Sequence, residues 1–296
     1  MRVRIGTRGS KLALWQAGLV KDTLEEAGLA TEIVKIETVG DQVQNVPLHE
    51  VGGVGLFTKA LDNALLEDKV DIAVHSAKDI PSVIDDSLEI CAFLKREDPR
   101  DVLLYTSEEV SLEILSRTWV VGTSSLRRAA LLRNYFHHVE VKDIRGNVDT
   151  RVEKLKRGEY DAIMLAFAGV KRMGFESLIV QKFNIHSITS AVGQGAIAIM
   201  ASKKYKHTEV IQSILNHKET EQALRCERSF LRTIEGGCKV PVFGYAQVQG
   251  DAISFHGGMA RDDGSEVFRE QVEGSVKEGK MLGERVARVI LNQINS

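Results

Sequence analysis

A short apolar run, an abrupt polar turn and an amphipathic helix follow one another again and again along this chain, and that succession limits the architectures open to it. Arg2 to Thr7 (RVRIGT) alternates like a strand, and a helix with Leu12, Leu14, Trp15, Leu19 and Leu24 on its apolar positions runs to about Ala27. Thr31 to Val39 predicts a second strand, and Leu56 to Lys69 a helix with Leu61, Leu65 and Leu66 turned inward. That helix leads into Val70 to Pro81 (VDIAVHSAKDIP), a buried strand ending on polar residues. Strand–helix–strand alternation predicts a mainly parallel sheet. Ligands then bind in the crevice beyond the strands' carboxyl ends.

The pattern breaks and restarts. After a strand at Leu88 to Leu94, the charged turn Lys95 to Asp101 (KREDPRD) predicts a boundary. Strands follow at Trp119 to Val121, Val139 to Ile144 and Tyr160 to Leu165. They alternate with helices beginning near Ser124, capped by Asn147, and spanning Ala166 to Met173. Ser190 to Met200 (SAVGQGAIAIM) reads as a glycine turn and an apolar strand returning to the first domain. A third region opens near His217, with a helix from Glu219 to Ile234, three strand-like runs between Val242 and Val272, and a last helix from Val276 to Ile294. The expectation is an α/β fold of two doubly wound domains plus a small α+β C-terminal domain. Residues 1–95 with 191–213 form the first domain, 96–190 the second and 214–296 the third.

Charge and cysteines exclude several classes of function. Lys and Arg total 39 against 41 Asp and Glu, so the net charge of −2 gives no basic field for nucleic acid. Any anion site must be a local cluster. The opening MRVRIGTRGS lacks the apolar core of a signal peptide, and no apolar run approaches a membrane span. Cys91, Cys226 and Cys238 are odd in number and without metal-type spacing, as expected of reduced thiols in a cytoplasmic protein; the expected working form is a monomer.

The candidate site residues gather where strands give way to helices. His75, Ser76, Lys78 and Asp79 stand just beyond an apolar strand, closed by Pro81. A solvated loop accounts for that pentapeptide as well as catalysis does. Arg8 and Ser10 flank the first helix start, with Ser10 placed to cap it. Thr123, Ser124 and Ser125 precede Arg127 and Arg128 in a first helical turn, a place to hold a carboxylate or phosphate. Two cations there oppose the helix dipole, a local misfit that hints at function. Arg145, Gly146 and Asn147 repeat the motif, with Arg151 one turn on, and Arg172 ends the next helix. If the strands share a direction, Arg8, Arg127, Arg128, Arg145 and Arg151 face one cleft and a polyanionic ligand. Asp41 to Val54, with Gly52, Gly53 and Gly55 around its end, reads as a mobile loop or lid. Cys238 lies in EGGCKVP beside Lys239, which favours the reactive thiolate. Its spacing leaves both a covalent attachment point and a nucleophile open.

Assembled in order, these stretches resemble the porphobilinogen deaminase (hydroxymethylbilane synthase) family. The resemblance runs through RIGTRGSKLALWQA from Arg4, GLFTKALDNALLEDKVDIAVHSAKDIP from Gly55, REDPRD from Arg96, VGTSSLRR from Val121, IRGNVDTR from Ile144, GEYDAIMLAFAG from Gly158, AVGQGA from Ala191 and EGGCKVP from Glu235. It implies two domains like those of periplasmic binding proteins and a third that carries the cofactor. It implies a transferase that condenses four porphobilinogen molecules head to tail, losing ammonia each time, and releases the linear tetrapyrrole by hydrolysis. Cys238 matches the cysteine that holds a dipyrromethane cofactor by a thioether, and Asp79 the catalytic aspartate. Lys78, Ser124, Ser125, Arg127, Arg128, Arg145, Gly146 and Gln194 match cofactor contacts. Arg8, Ser10, Ser76, Thr123, Arg145, Arg151, Arg172 and Gly195 match contacts to substrate. A carboxylate suits this chemistry, because loss of ammonia leaves an electron-poor pyrrolic species that a negative group stabilises. Arginines suit it too, since every added unit brings an acetate and a propionate. Val54 stands where many relatives carry a lysine, a departure that weakens any claim for a lid cation contacting the substrate here. The alternative from another class is a non-catalytic, two-domain binding protein for a polycarboxylate, which leaves Cys238 and the third domain without a purpose.

Overall fold

The computed structural model describes residues 1–38, 58–106, 119–234 and 240–295. The glycine-bearing segment Asp41–Val54 and the Cys238 loop lie outside the described residues.

Two five-stranded sheets and one three-stranded sheet make three domains. The first sheet is built from β1 (Arg2–Thr7), β2 (Ala30–Lys35), β3 (Ile72–Ser76), β4 (Leu88–Phe93) and β10 (Ile197–Ser202), in the order β2-β1-β3-β10-β4. The second uses β5 (Asp101–Leu104), β6 (Trp119–Gly122), β7 (Val139–Lys142), β8 (Ala162–Ala166) and β9 (Ile179–Lys182), in the order β7-β6-β8-β5-β9. The two orders are the same pattern, so the lobes share one topology.

Each sheet is mainly parallel, as the alternation predicts, with four strands in one direction and a single strand reversed. β1 runs parallel to β2 and β3, but β10 runs antiparallel to β3 and β4. In the second lobe β6 is parallel to β7 and β8, whereas β5 is antiparallel to β8 and β9. The reversed strand in each sheet is the first one laid down after the chain crosses between lobes. It arrives without the helical crossover that a parallel neighbour requires.

Helices α1 (Lys11–Glu26), α2 (Lys59–Leu66) and α6 (Thr208–Leu215) cover the first sheet. α3 (Leu126–Tyr135), α4 (Val148–Lys156) and α5 (Phe167–Arg172) belong to the second lobe. Ser10 caps α1 by accepting from the Ala13 amide (3.3 Å), as its position before the helix led us to expect. Asn147 occupies the cap position of α4 but makes no side-chain cap hydrogen bond. Leu61 and Leu65 of α2 are buried, while Leu66, expected inward, is exposed. β5, β9 and α6 have no counterpart in the sequence reading.

The third domain is an antiparallel meander of β11 (Val242–Gln249), β12 (Ala252–Ala260) and β13 (Val267–Ser275). It packs under α7 (Lys218–Thr233) and α8 (Gly279–Asn295) around Phe230 and Phe255. Its attachments reach both lobes. Arg133 and Asn134 of α3 donate to the carbonyls of Asp262 (2.9 Å) and Gly264 (2.8 Å). Arg228 of α7 donates to the carbonyl of Pro81 at 2.8 Å, just after the Asp79 turn. At the centre lies Glu227, fully buried. Its carboxylate accepts from the Arg96 guanidinium, the Gly193 amide (2.8 Å) and the Ala246 amide (2.9 Å). A buried charge of this kind is tolerable only when paired and hydrogen-bonded, as it is here.

Candidate active site

The cleft between the lobes narrows to a cavity of about 120 Å³. The first lobe contributes Leu12 and Gln16 from α1 and Ser76 and Lys78 from the end of β3; the second contributes Arg128, Arg151 and Arg172. Among the described residues its wall carries these four cations and no carboxylate. The charges crowd one another. Burial, with repulsion from Arg128, lowers the pKa of Lys78 to about 8, although cleft water reaches the side chain and tempers the shift. Burial first and Arg128 second lower Arg151 to about 10. Burial lowers Arg172 to about 10, with Glu97 opposing. Lys78, Arg151 and Arg172 all remain predominantly charged at neutral pH, so the wall has a standing demand for anions.

Asp79 is the last residue of a single 3-10 turn, Ala77–Asp79, that follows β3 directly. The turn is held from two sides. Arg228 fixes the carbonyls that follow it, and Gly193 presses against it from the returning crossover. Gly193 has φ +77°, and a Cβ there would come within 2.8 Å of the Ala77 carbonyl carbon and 2.9 Å of the Lys78 nitrogen. We therefore expect Gly193→Ala to cost about 2 kcal/mol through left-handed strain and displacement of the Asp79 turn. Thermal denaturation together with turnover measures it; unchanged values for both would show that the turn tolerates the intrusion.

The expected site residues separate into two groups. Lys78, Ser76, Arg128, Arg151, Arg172 and Gly195 meet at the cavity. Asp79, one residue beyond Lys78, stands outside that wall, as do Arg8, Ser10, Thr123, Ser124, Ser125, Arg145 and Gly146. Ser125 caps α3 by accepting from the Arg128 amide (3.4 Å), in keeping with a helix start expected near Ser124. Thr123 is buried, and its hydroxyl accepts from the Ser125 amide (3.3 Å). Gly146 has φ +110°, with Thr150 packed where a Cβ would stand.

Arg127 departs furthest from expectation. It is buried outside the cavity wall, where Nη1 contacts Asp101 (2.7 Å) and donates to the Thr189 carbonyl (2.6 Å). Its neighbour Arg128 donates to the same carboxylate through Nε (3.0 Å) and Nη2 (2.8 Å). Gln194, buried in the crossover rather than at the wall, donates to Asp101 (2.8 Å) and accepts from Arg128 (3.2 Å). The apparent misfit of two arginines at a helix start is thus answered by a buried acid. Burial alone would raise the pKa of Asp101, but Arg127 and Arg128 outweigh it and hold the carboxyl far below its ordinary value.

Sequence reasoning missed three contributors. Asp101 closes the REDPRD stretch, but nothing in that charged turn marks it as the partner of Arg127 and Arg128. Gln16 is buried beneath the cavity and exchanges hydrogen bonds with Ser76 (3.0 Å), one turn of α1 beyond the Leu12 that also lines it. His75, noticed only as a polar neighbour, is buried with no hydrogen-bond partner for Nε2 among the described residues; burial and then Arg8 lower its pKa to about 4, so it stays neutral.

Comparison with known proteins adds an independent line. A family model described as "Porphobilinogen deaminase, dipyromethane cofactor binding domain" matches residues 3–210, and "Porphobilinogen deaminase, C-terminal domain" matches residues 222–292. A porphobilinogen deaminase of Desulfosudis oleivorans is 42% identical over 293 residues, covering 98% of this chain and 94% of that protein. One from Syntrophomonas wolfei subsp. wolfei is 43% identical over 293 residues, covering 98% and 95%. Among solved structures, the VFT2 domain of BvgS from Bordetella pertussis is similar with a TM-score of 0.44 and 14% identity, over 73% of this chain and 85% of that one.

Proposed function

The chain belongs to the porphobilinogen deaminase family, and from that premise we propose that Asp79 drives its chemistry while the cationic cavity grips the carboxylates of the growing oligomer. The enzyme is a transferase that joins four porphobilinogen molecules head to tail on a dipyrromethane cofactor, with loss of ammonia, and releases hydroxymethylbilane by hydrolysis. The observation that carries the site reading is the wall of Lys78, Arg128, Arg151 and Arg172 with no acid among its described residues.

These side chains suit the acid groups of both partners, Lys78 and Arg128 those of the cofactor and Arg151 and Arg172 those of the substrate. Arg151 and Arg172 each give one hydrogen bond among the described residues, to the carbonyls of Gly146 (2.7 Å) and Gly195 (2.8 Å). A guanidinium has five donors, so most remain for acetate and propionate oxygens. Lys78 and Arg128 supply further charge from opposite lobes. Arg8, Ser10, Ser76, Thr123, Ser124, Ser125, Arg145, Gly146, Gln194 and Gly195 complete the proposed contacts around this centre. Arg127 acts from behind it, by fixing Asp101 beneath Arg128.

When bound, the dipyrromethane supplies the pyrrole carbon to which the first substrate is joined. Asp79 does the rest of the local work. Its carboxylate stabilises positive charge as the substrate amine departs. It also carries a proton to the departing nitrogen and takes one from the attacked pyrrole carbon. Its position directly after β3, at the carboxyl end of the sheet, supports that role.

Cys238 is the proposed thioether attachment point. The purified protein should exceed its sequence mass by one dipyrromethane, and Cys238→Ser should remove both the excess and the activity. Intact mass spectrometry decides it: active protein at bare sequence mass overturns covalent attachment. The proposed domain limits are 1–95 with 191–213, 96–190, and 214–296, and the proposed working form is a cytoplasmic monomer taking porphobilinogen as substrate. Among the described residues no helix is long and apolar enough to cross a membrane.

A further inference from the structure

Arg172 belongs to the second lobe, yet part of what holds it comes from the first. Its Nη2 donates to the Gly195 carbonyl (2.8 Å), and its Cζ lies 5.6 Å from the centroid of the Trp15 ring on α1. Trp15 is 43% exposed, an unusual station for an indole whose only use is packing. Its neighbours on the same helix also meet the second lobe. Leu12 reaches toward Gly169, and Lys11 pairs with Asp149 (3.1 Å). The indole therefore stands at a contact between lobes, with its π system against a cation in the cavity wall.

This geometry limits where the guanidinium can point. A carbonyl on one side and an aromatic face on the other leave Arg172 less rotamer freedom than an open arginine has. Its remaining donors are then aimed before an anion arrives, which lowers the cost of binding one. An aliphatic side chain of similar reach would supply contact but no quadrupole. Phenylalanine would keep a ring face with a weaker attraction.

We infer that Trp15 is a positioning residue for the carboxylates of porphobilinogen, acting through Arg172. The inference rests on the reading of Arg172 as a substrate contact given above. It extends the site to a residue on the opposite lobe that itself stands outside the cavity wall.

Steady-state kinetics on the cofactor-loaded enzyme test it, with four single variants and one double. Trp15→Leu is expected to lower kcat/KM for porphobilinogen about fivefold, mostly through KM, as loss of a partly desolvated cation–π contact implies. Trp15→Phe should stay within about twofold of the parent. Lys11→Ala should also stay within about twofold, because its ion pair is exposed. Arg172→Leu should be impaired, and adding Trp15→Leu to it should cost nothing more. Melting temperature and cofactor mass should be unchanged in the Trp15 variants. An unimpaired Trp15→Leu beside an impaired Arg172→Leu overturns the positioning role and leaves the site reading standing. An unimpaired Arg172→Leu overturns the site reading itself. Equal losses in Trp15→Leu and Trp15→Phe, or in Lys11→Ala, would assign the effect to lobe contact and overturn the role of the ring.

Discussion

Asp79→Asn should lose turnover by at least about a hundredfold while keeping its fold and most of its cofactor mass. Asparagine matches the shape and can still hydrogen-bond. It carries no negative charge for the departing-amine step and accepts no proton from the pyrrole carbon. The surroundings argue that little else would change. Asp79 is half-buried at the end of one 3-10 turn, and that turn is fixed by Arg228 on carbonyls and by Gly193 on backbone. None of those restraints involves the carboxylate. Ammonia release measures turnover, intact mass reports the cofactor, and thermal denaturation reports the fold. Near-normal ammonia release in this variant would remove Asp79 from the mechanism.

The largest loss of stability is expected at Asp101. Asp101→Ala leaves two buried guanidiniums facing each other without a counter-ion, and such changes cost about 3–5 kcal/mol. Gln194 would lose an acceptor as well, so the effect should spread to the crossover it anchors. Asp101→Asn should keep the shape and part of the hydrogen bonding, and should fall between parent and alanine variant. Urea denaturation ranks the three. The dependence on acid has a definite sign. A carboxyl whose folded pKa lies below its unfolded value of about 3.9 contributes fully above that value and loses the contribution as pH falls toward the folded one. The acid limb of stability should therefore flatten in Asp101→Asn. Parent-like stability in both variants would mean that Arg127 and Arg128 find other partners.

The sequence carried most of the framework and part of the site, and the division has a physical basis. β1, α1 and the three strands of the last domain follow from local periodicity and turn residues, which do not depend on distant contacts. β5 escaped because DVLL is only four residues long and sits behind a charged turn. The direction of β5 and β10 escaped because a strand's own residues do not encode which way its neighbours run. Of the residues lining the cavity, Ser76 and Lys78 are legible as polar residues after a strand and Arg128, Arg151 and Arg172 as cations on helices, whereas Gly195 is reached only through the family resemblance. Arg127 was found as well, but with the wrong partner in view. Its dipole conflict was visible locally, whereas the acid that resolves it comes from β5, 26 positions earlier. Gln16 and Trp15 lie within a good amphipathic helix, where their contacts to Ser76 and Arg172 leave no mark on the pattern.

Glu227 gives the last domain a mechanical meaning. Both strands of chain that pass between the lobes are fastened to it, one through the Arg96 side chain and the other through the Gly193 amide, while the Ala246 amide ties it to β11. A buried carboxylate stripped of a partner is costly. Drawing either passage away from Glu227 would therefore raise the energy of the C-terminal module as well as that of the passage itself.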